Sequence, residues 1–170
     1  MSGLAGDIKL QRVSVPGNAH QPLSMGVGAG VQIYSGDVAL KSAGTGATAG
    51  YLKSTTTPVA ADVVMGMVGD PAGGTYVKTG PGILGGTNDG DVRVTVETGS
   101  FRFQNGTGAD TIAVADVGAT CYFQGSNTNG PIAAKTNGSN SRPVLGTILP
   151  FDPTTPSGFV DVELTPVGGP

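Results

Sequence analysis

GDVRVTVETGSFRF, Gly90 to Phe103, is the most regular stretch of the chain. Val92, Val94 and Val96 alternate with Arg93, Thr95 and Glu97, which is the period of a strand with one dry and one wet face. After Thr98-Gly99-Ser100 the apolar parity changes, from even positions to Phe101 and Phe103. A β-bulge or a barrel corner produces such a one-residue slip. The stretch therefore reads as barrel wall, with valines inward, Arg93 and Glu97 outward, and Gly99 turning the corner so that both phenylalanines enter the core.

The same texture extends in both directions. VQIYSGDVALKS, residues 31–42, reads as strand, turn at Ser35-Gly36-Asp37, and strand. AGTGATAGYLKSTTTP then forms a lobe-like connection. VAADVVMGMV, residues 59–68, is the best helical candidate, but Pro58, Gly66 and the β-branched valines favour a buried strand over VVMGMV. Residues 70–90 are an insertion rich in turn dipeptides. Further strands are expected at TIAV, ATCYFQ, IAAKT, PVLGTIL and FVDVEL, the last with Val160, Val162 and Leu164 on one side and Asp161 and Glu163 on the other. About eight to ten short strands with shifting parity predict an all-β body, a small β-barrel, β-tulip-like fold or sandwich.

The first thirty residues differ. DIKLQRVSV alternates, with Ile8, Leu10, Val13 and Val15 facing one way, and PGNAHQPLSMGVGAG follows with little to pack. This predicts an extended N-terminal arm over 1–30, a body over 31–165 and a short tail over 166–170. An arm that leaves its own domain finds its partners elsewhere, often on a neighbouring subunit.

Bulk composition agrees with a β protein. Of the 170 residues 38% are hydrophobic and 12% charged, about half the usual share of roughly 25% charged. Thirty glycines and twelve prolines, with a net charge of only −3, fit many turns better than disorder. A domain of this size buries roughly 70% of its unfolded surface and needs no metal or disulfide. The nine basic residues are scattered, so nucleic acid is not expected as a partner. No charged and apolar leader and no long apolar run is visible, so neither secretion by such a leader nor a membrane is expected.

Catalytic equipment is sparse. His20 is the only histidine and sits in the Pro/Gly-rich arm, a poor place for a preorganised base, and reads as a solvated or interface residue. Cys121 is the only cysteine; between strand-forming neighbours it reads as a buried, inert thiol. Asn88-Asp89-Gly90-Asp91 and Asn105–Asp110 resemble calcium loops but lack a downstream ligand or stacked copies, and read as turns. Gly26-Val27-Gly28-Ala29-Gly30 has no P-loop lysine and no helix after it. Asp70, Asp89, Asp91, Glu97 and Asp110 offer carboxylates for glycoside cleavage, but no pair among them is singled out. The expectation is a protein that is not an enzyme and has no cofactor and no metal.

The order of motifs carries a resemblance. SGDVALKS, VVMGMVGDPAGG, GDVRVTVETGSFRFQN, IAVADVGATCYFQGSNTNGPIAAKT, PVLGTIL and GFVDVEL resemble, over residues 31–165, the small capsid decoration (cement) proteins of tailed bacteriophages, a family first known as a domain of unknown function in phage head gene clusters. The matching residues are Gly36-Asp37, Met65 to Val68, Gly99-Ser100-Phe101, Val117-Gly118 through Tyr122-Phe123, Leu145 to Ile148 and Gly158 through Leu164. The chain departs from the pattern in lacking Asp after Gly118 and in the long 70–90 insertion. The resemblance implies a barrel-like body, commonly a homotrimer, seated on the outer surface of an expanded capsid in the virion after synthesis in the host cytoplasm. There it would tie neighbouring major capsid protein subunits together. Ile8, Leu10, Val13, Val15 and His20 are the expected capsid or subunit contacts, the first four by strand addition onto a capsid or sister-subunit sheet, with addition of that strand to the chain's own barrel as the alternative. The alternative is a carbohydrate- or receptor-binding β module, for which 5% aromatic residues and no Trp are a thin supply.

Overall fold

The computed structural model describes residues 23–43, 49–69, 82–154 and 158–164. They form twelve strands and two short 3-10 turns, with no α-helix among the described residues. The expected all-β body is present, as two β units that share a wall.

The first unit is a five-stranded antiparallel sheet. It contains β1 (Leu23–Gly26), β3 (Val38–Lys41), β4 (Leu52–Lys53), β5 (Val63–Val68) and β7 (Arg93–Glu97), in the order β1-β7-β5-β3-β4. A side ribbon pairs β2 (Gln32–Ile33) with β6 (Ile83–Leu84). The second unit is a closed five-stranded barrel of β8 (Ser100–Asn105), β9 (Thr120–Asn127), β10 (Gly130–Ala134), β11 (Val144–Ile148) and β12 (Phe159–Leu164). Around the barrel the order is β10-β8-β12-β11-β9, all antiparallel except the closing β8–β10 pair.

Why the parity slips at Gly99 is now clear. β7 and β8 are consecutive in the chain but lie in different units, and Gly99 at φ 127° carries the chain between them. The slip is a change of sheet, neither a bulge nor the corner of one barrel: β8 is barrel wall as expected, but Val92, Val94 and Val96 belong to the open sheet. Val94 and Val96 are buried in the sheet's core, while Phe101 and Phe103 are fully buried in the barrel. Arg93 is exposed and Glu97 half-buried.

β3 and β5 form the shared wall. Val38, Leu40, Val64 and Met67 pack with Phe101, Phe103, Phe123, Leu145 and Val162 of the barrel. From the same two strands Ala39 and Val68 turn the other way and pack with Val27, Ile33, Leu52, Val94 and Val96. Strands buried on both faces read as near-continuous apolar runs, which is how VVMGMV reads. Gly66, at φ 150°, is required where β5 crosses β7: a Cβ there would collide with the carbonyl oxygen of Glu97.

Several expectations change in detail: the connection after Ser42 contains β4, and the 70–90 insertion contains β6. Residues 23–30, on the arm side of the boundary drawn at residue 30, form β1 and the turn after it, and Val27 is fully buried. TIAV is not a strand. Its backbone is intercepted by Asn105, whose side chain accepts from Ile112 N at 2.8 Å and donates to Ile112 O at 2.8 Å. That amide imitates a strand partner, delivers Ile112 to the core, and leaves Val114–Asp116 to form a 3-10 turn. Finally, β2 and β3 flank the expected turn, with Gly36 at φ 81°, but are not a hairpin: β2 pairs with β6 and β3 with β5 and β4.

Candidate functional site

Ile8, Leu10, Val13, Val15 and His20 lie outside the described residues, as does Asp70. Among the described residues no group of three or more His, Cys, Asp or Glu side chains is placed to hold a metal ion. No helix among them is long and apolar enough to cross a membrane.

The other acids of interest are engaged in local structure. Asp89 Oδ1 accepts from Ala29 N at 2.6 Å, and Asp91 Oδ2 accepts from Asn88 N at 2.8 Å, so Asn88–Asp91 is a side-chain-closed turn, with Gly90 at φ 81°. Asp110 receives Arg142 through two bonds, Nη1 to Oδ1 at 2.7 Å and Nη2 to Oδ2 at 2.9 Å. The Arg142 bond first, and Thr136 second, hold its carboxyl below the usual range. Asp116 is lowered by Lys135 and by Ala113 N, and Asp152 by Thr154. These are the pairings of structural turns.

On the barrel wall, Arg102 and Asp161 stand directly opposite across β8 and β12. Their forked pair has Nε–Oδ1 at 2.8 Å and Nη2–Oδ2 at 3.0 Å. Asp161 is almost wholly covered, so the guanidinium acts as its lid. The bond to Asp161 raises the Arg102 pKa further. Cys121 is buried in the barrel, its thiol donating to Gly146 O at 3.6 Å, and burial pushes its pKa up to about 12. A thiol kept in that form is a core side chain, as the sequence predicted.

One surface feature escaped the sequence reading. The five-stranded sheet curls until its two edges meet, but only at one parallel bridge, Val27–Leu52, with Gly28 N donating to Leu52 O at 2.9 Å. On the N-terminal side of that bridge the edges part. The resulting groove, about 410 Å³, is lined by Ser24, Met25, Gly26, Ala49, Gly50, Tyr51 and Arg93. The Tyr51 ring packs so closely on Gly26 and Gly90 that a Cβ at either would approach it to 3.0 Å. Arg93, opposite Gly26 in the register, reaches over the glycine to β1. Its Nε donates to Ser24 Oγ at 3.0 Å and its Nη2 to Ser24 O at 2.7 Å. The outward position of Arg93 was legible in the alternation; its convergence with Tyr51 was not, because 42 positions of chain separate them.

Comparison with known proteins gives no relative against which to set this geometry: no family model, no curated protein and no solved structure matches the chain.

Proposed function

We propose that this chain is a capsid decoration protein of a tailed bacteriophage, a non-enzymatic cement that seats on the outer surface of the head and stabilises contacts between major capsid protein subunits. The observation that carries the reading is where the resemblance motifs fall. Gly36-Asp37 leads into β3, Met65 to Val68 lies within β5, and Gly99-Ser100-Phe101 opens β8. Val117-Gly118 leads into β9, Leu145 to Ile148 lies in β11, and Gly158 opens β12. Gly36, Gly66, Gly99, Gly118 and Gly158 all have positive φ, a conformation that glycine adopts without steric cost. The motif order that resembles the cement family is thus the punctuation of a two-unit β body, and it supports a protein whose sequence serves shape.

The physics of the role fits. A cement protein works through many copies, each making modest contacts, so avidity replaces a single deep site. It needs a rigid body and exposed backbone for strand addition. The closed barrel supplies the first. In this reading the chain assembles as a homotrimer in the virion, and the arm residues Ile8, Leu10, Val13 and Val15 add to a capsid or sister-subunit sheet. Nucleic acid and membrane are not partners.

Co-sedimentation with capsids that lack the protein, before and after expansion, tests the proposal. Saturable binding to expanded shells with a gain in their heat resistance is the expected result. Absence of binding to either shell overturns it.

A further inference from the structure

Asn-Gly is the dipeptide in which an asparagine most readily modifies itself. The glycine nitrogen, once it has lost its proton, attacks the asparagine Cγ, and glycine has no Cβ to obstruct the ring that forms. The chain has three such dipeptides, Asn105-Gly106, Asn129-Gly130 and Asn137-Gly138. The fold treats their glycine nitrogens differently, and two are committed. Gly106 N donates to Ala133 O at 2.8 Å, and the Asn105 side chain is fixed at both ends on Ile112. Gly130 faces Asn127 in the pair that closes the hairpin between β9 and β10, where the fourth residue of the turn supplies the closing N–H. Gly138 N reaches only the Thr136 hydroxyl among the described residues, at 3.4 Å.

The turn around Gly138 also points its donors inward. Gly138, Ser139 and Asn140 follow one another at φ 58°, 58° and 64°, a left-handed run in which two of the three residues carry a Cβ. The next three backbone N–H groups turn back onto Asn137. Ser141 N and Arg142 N donate to its carbonyl oxygen at 3.1 and 3.2 Å, and Asn140 N donates to its side-chain Oδ1 at 3.3 Å. Those two oxygens are where charge gathers when Gly138 N attacks Cγ. The ionised peptide group spreads its charge onto Asn137 O, and the tetrahedral adduct at Cγ places its charge on Oδ1. Fixed donors aimed at atoms that become negative lower the barrier to reaching that state. Arg142, held by Asp110 and Thr136 O, adds a neighbouring cation: a Cβ on Gly138 would come within 2.9 Å of its Nε.

We propose that Asn137 is a self-modifying residue. Gly138 N bonds to Cγ, the Cγ–Nδ2 bond breaks, and ammonia leaves with the proton that Gly138 N gives up. Water then opens the cyclic imide at either carbonyl, which leaves isoaspartate or aspartate at position 137. No cofactor and no second protein takes part. Isoaspartate lengthens the main chain by one carbon and displaces the oxygen that Ser141 N and Arg142 N share, so the turn that seats Arg142 on Asp110 loosens. The inference stands without the cement reading, and its test uses no capsid.

Peptide mapping by mass spectrometry follows the three sites in the full folded chain at mildly alkaline pH, and in the same chain unfolded in urea. In the folded chain Asn137 should deamidate at least about tenfold faster than Asn105 and Asn129, a difference within the reach of three placed donors. In urea, where only the shared dipeptide matters, the three rates should converge. The rate at Asn137 should rise with pH, because the attacking group is the ionised amide. Asn137→Gln, whose longer side chain would have to close a larger ring, should silence that site and leave the other two as they were. The isoaspartate form, separated by its added charge, should melt below the parent; an unchanged melt overturns the loosening. Equal rates in the folded chain, earlier modification at Asn105 or Asn129, or no modification at Asn137 overturns the proposal. So does scission of the Asn137–Gly138 bond in place of ammonia loss.

Discussion

The barrel and the five-stranded sheet close their edges in different ways. In the barrel, β10 meets both β9 and β8, and two further bonds reinforce the parallel seam: the Gln104 side chain donates from Nε2 to Gly130 O at 2.7 Å, and the backbone of Gly106 donates from N to Ala133 O at 2.8 Å. In the sheet, β1 and β4 meet at one bridge and part on one side of it. The fillings differ accordingly. Three phenylalanines occupy the barrel core, while the sheet's core is built from valines with Ala39, Ile33 and Leu52. Large rings fill a closed cylinder and leave no edge to protect. The sheet's core has no aromatic ring and is filled by aliphatic side chains, and Arg93 bonds over its seam to Ser24.

The largest effect should come from hollowing the barrel. Phe123→Ala should cost about 4 kcal/mol in denaturant unfolding. It should also expose Cys121, so that thiol labelling at pH 8, very slow in the native parent, becomes fast. A loss below about 1 kcal/mol would show that the barrel is not the stabilising half. Next comes the shared wall. Gly66→Ala forces both a positive φ and a collision with Glu97 O, and should cost about 3 kcal/mol. Because Gly66 lies between the two cores, both units should unfold together; separate transitions would break the picture of a common wall.

A smaller effect belongs to the barrel's outer face. Arg102→Leu removes the forked pair and the lid together, leaving the Asp161 carboxylate unpaired beside an apolar side chain, and should cost about 2 kcal/mol. The double change with Asp161→Leu should recover most of it, since an apolar pair needs no desolvation of charge. The smallest is the pH dependence of the turn at Asp110. Its carboxyl titrates lower in the folded chain than in the unfolded one. The resulting stability is therefore complete above about pH 3.9, the unfolded value, and is lost as pH falls through the lower folded value. Asp110→Asn should flatten the acid limb of thermal melts below about pH 4 and leave the neutral limb parallel to the parent's. An unchanged acid limb would mean that Arg142 contributes nothing through this carboxylate.

Much of this architecture was legible in the chain. Alternation over 92–96 and 160–164 named the buried faces correctly, because a strand's period of two places every second residue on one side irrespective of its neighbours. Runs without alternation were readable as strands but not as a wall between two cores, since periodicity cannot reveal what lies on each face. TIAV failed for a definite reason. Its composition favours a strand, but a side chain, Asn105, took the hydrogen bonds that a neighbouring strand would have supplied. The groove was illegible for a related reason: Ser24, Tyr51 and Arg93 come from three strands or their flanks, and only the curl of the sheet brings them to one seam.

What the sequence determined by itself was local. The all-β class, the inert thiol, the turn at Asn88–Asp91 and the inward phenylalanines follow from side-chain chemistry and backbone preferences that operate over a few residues. Tertiary structure decided which strands neighbour which, that Gly99 passes between two units, that one sheet closes completely and the other by a single bridge, and that Arg93 and Tyr51 meet at that seam. Those outcomes depend on pairings between distant segments, and the free energy of such pairings lies in the packed whole and in no single stretch of chain.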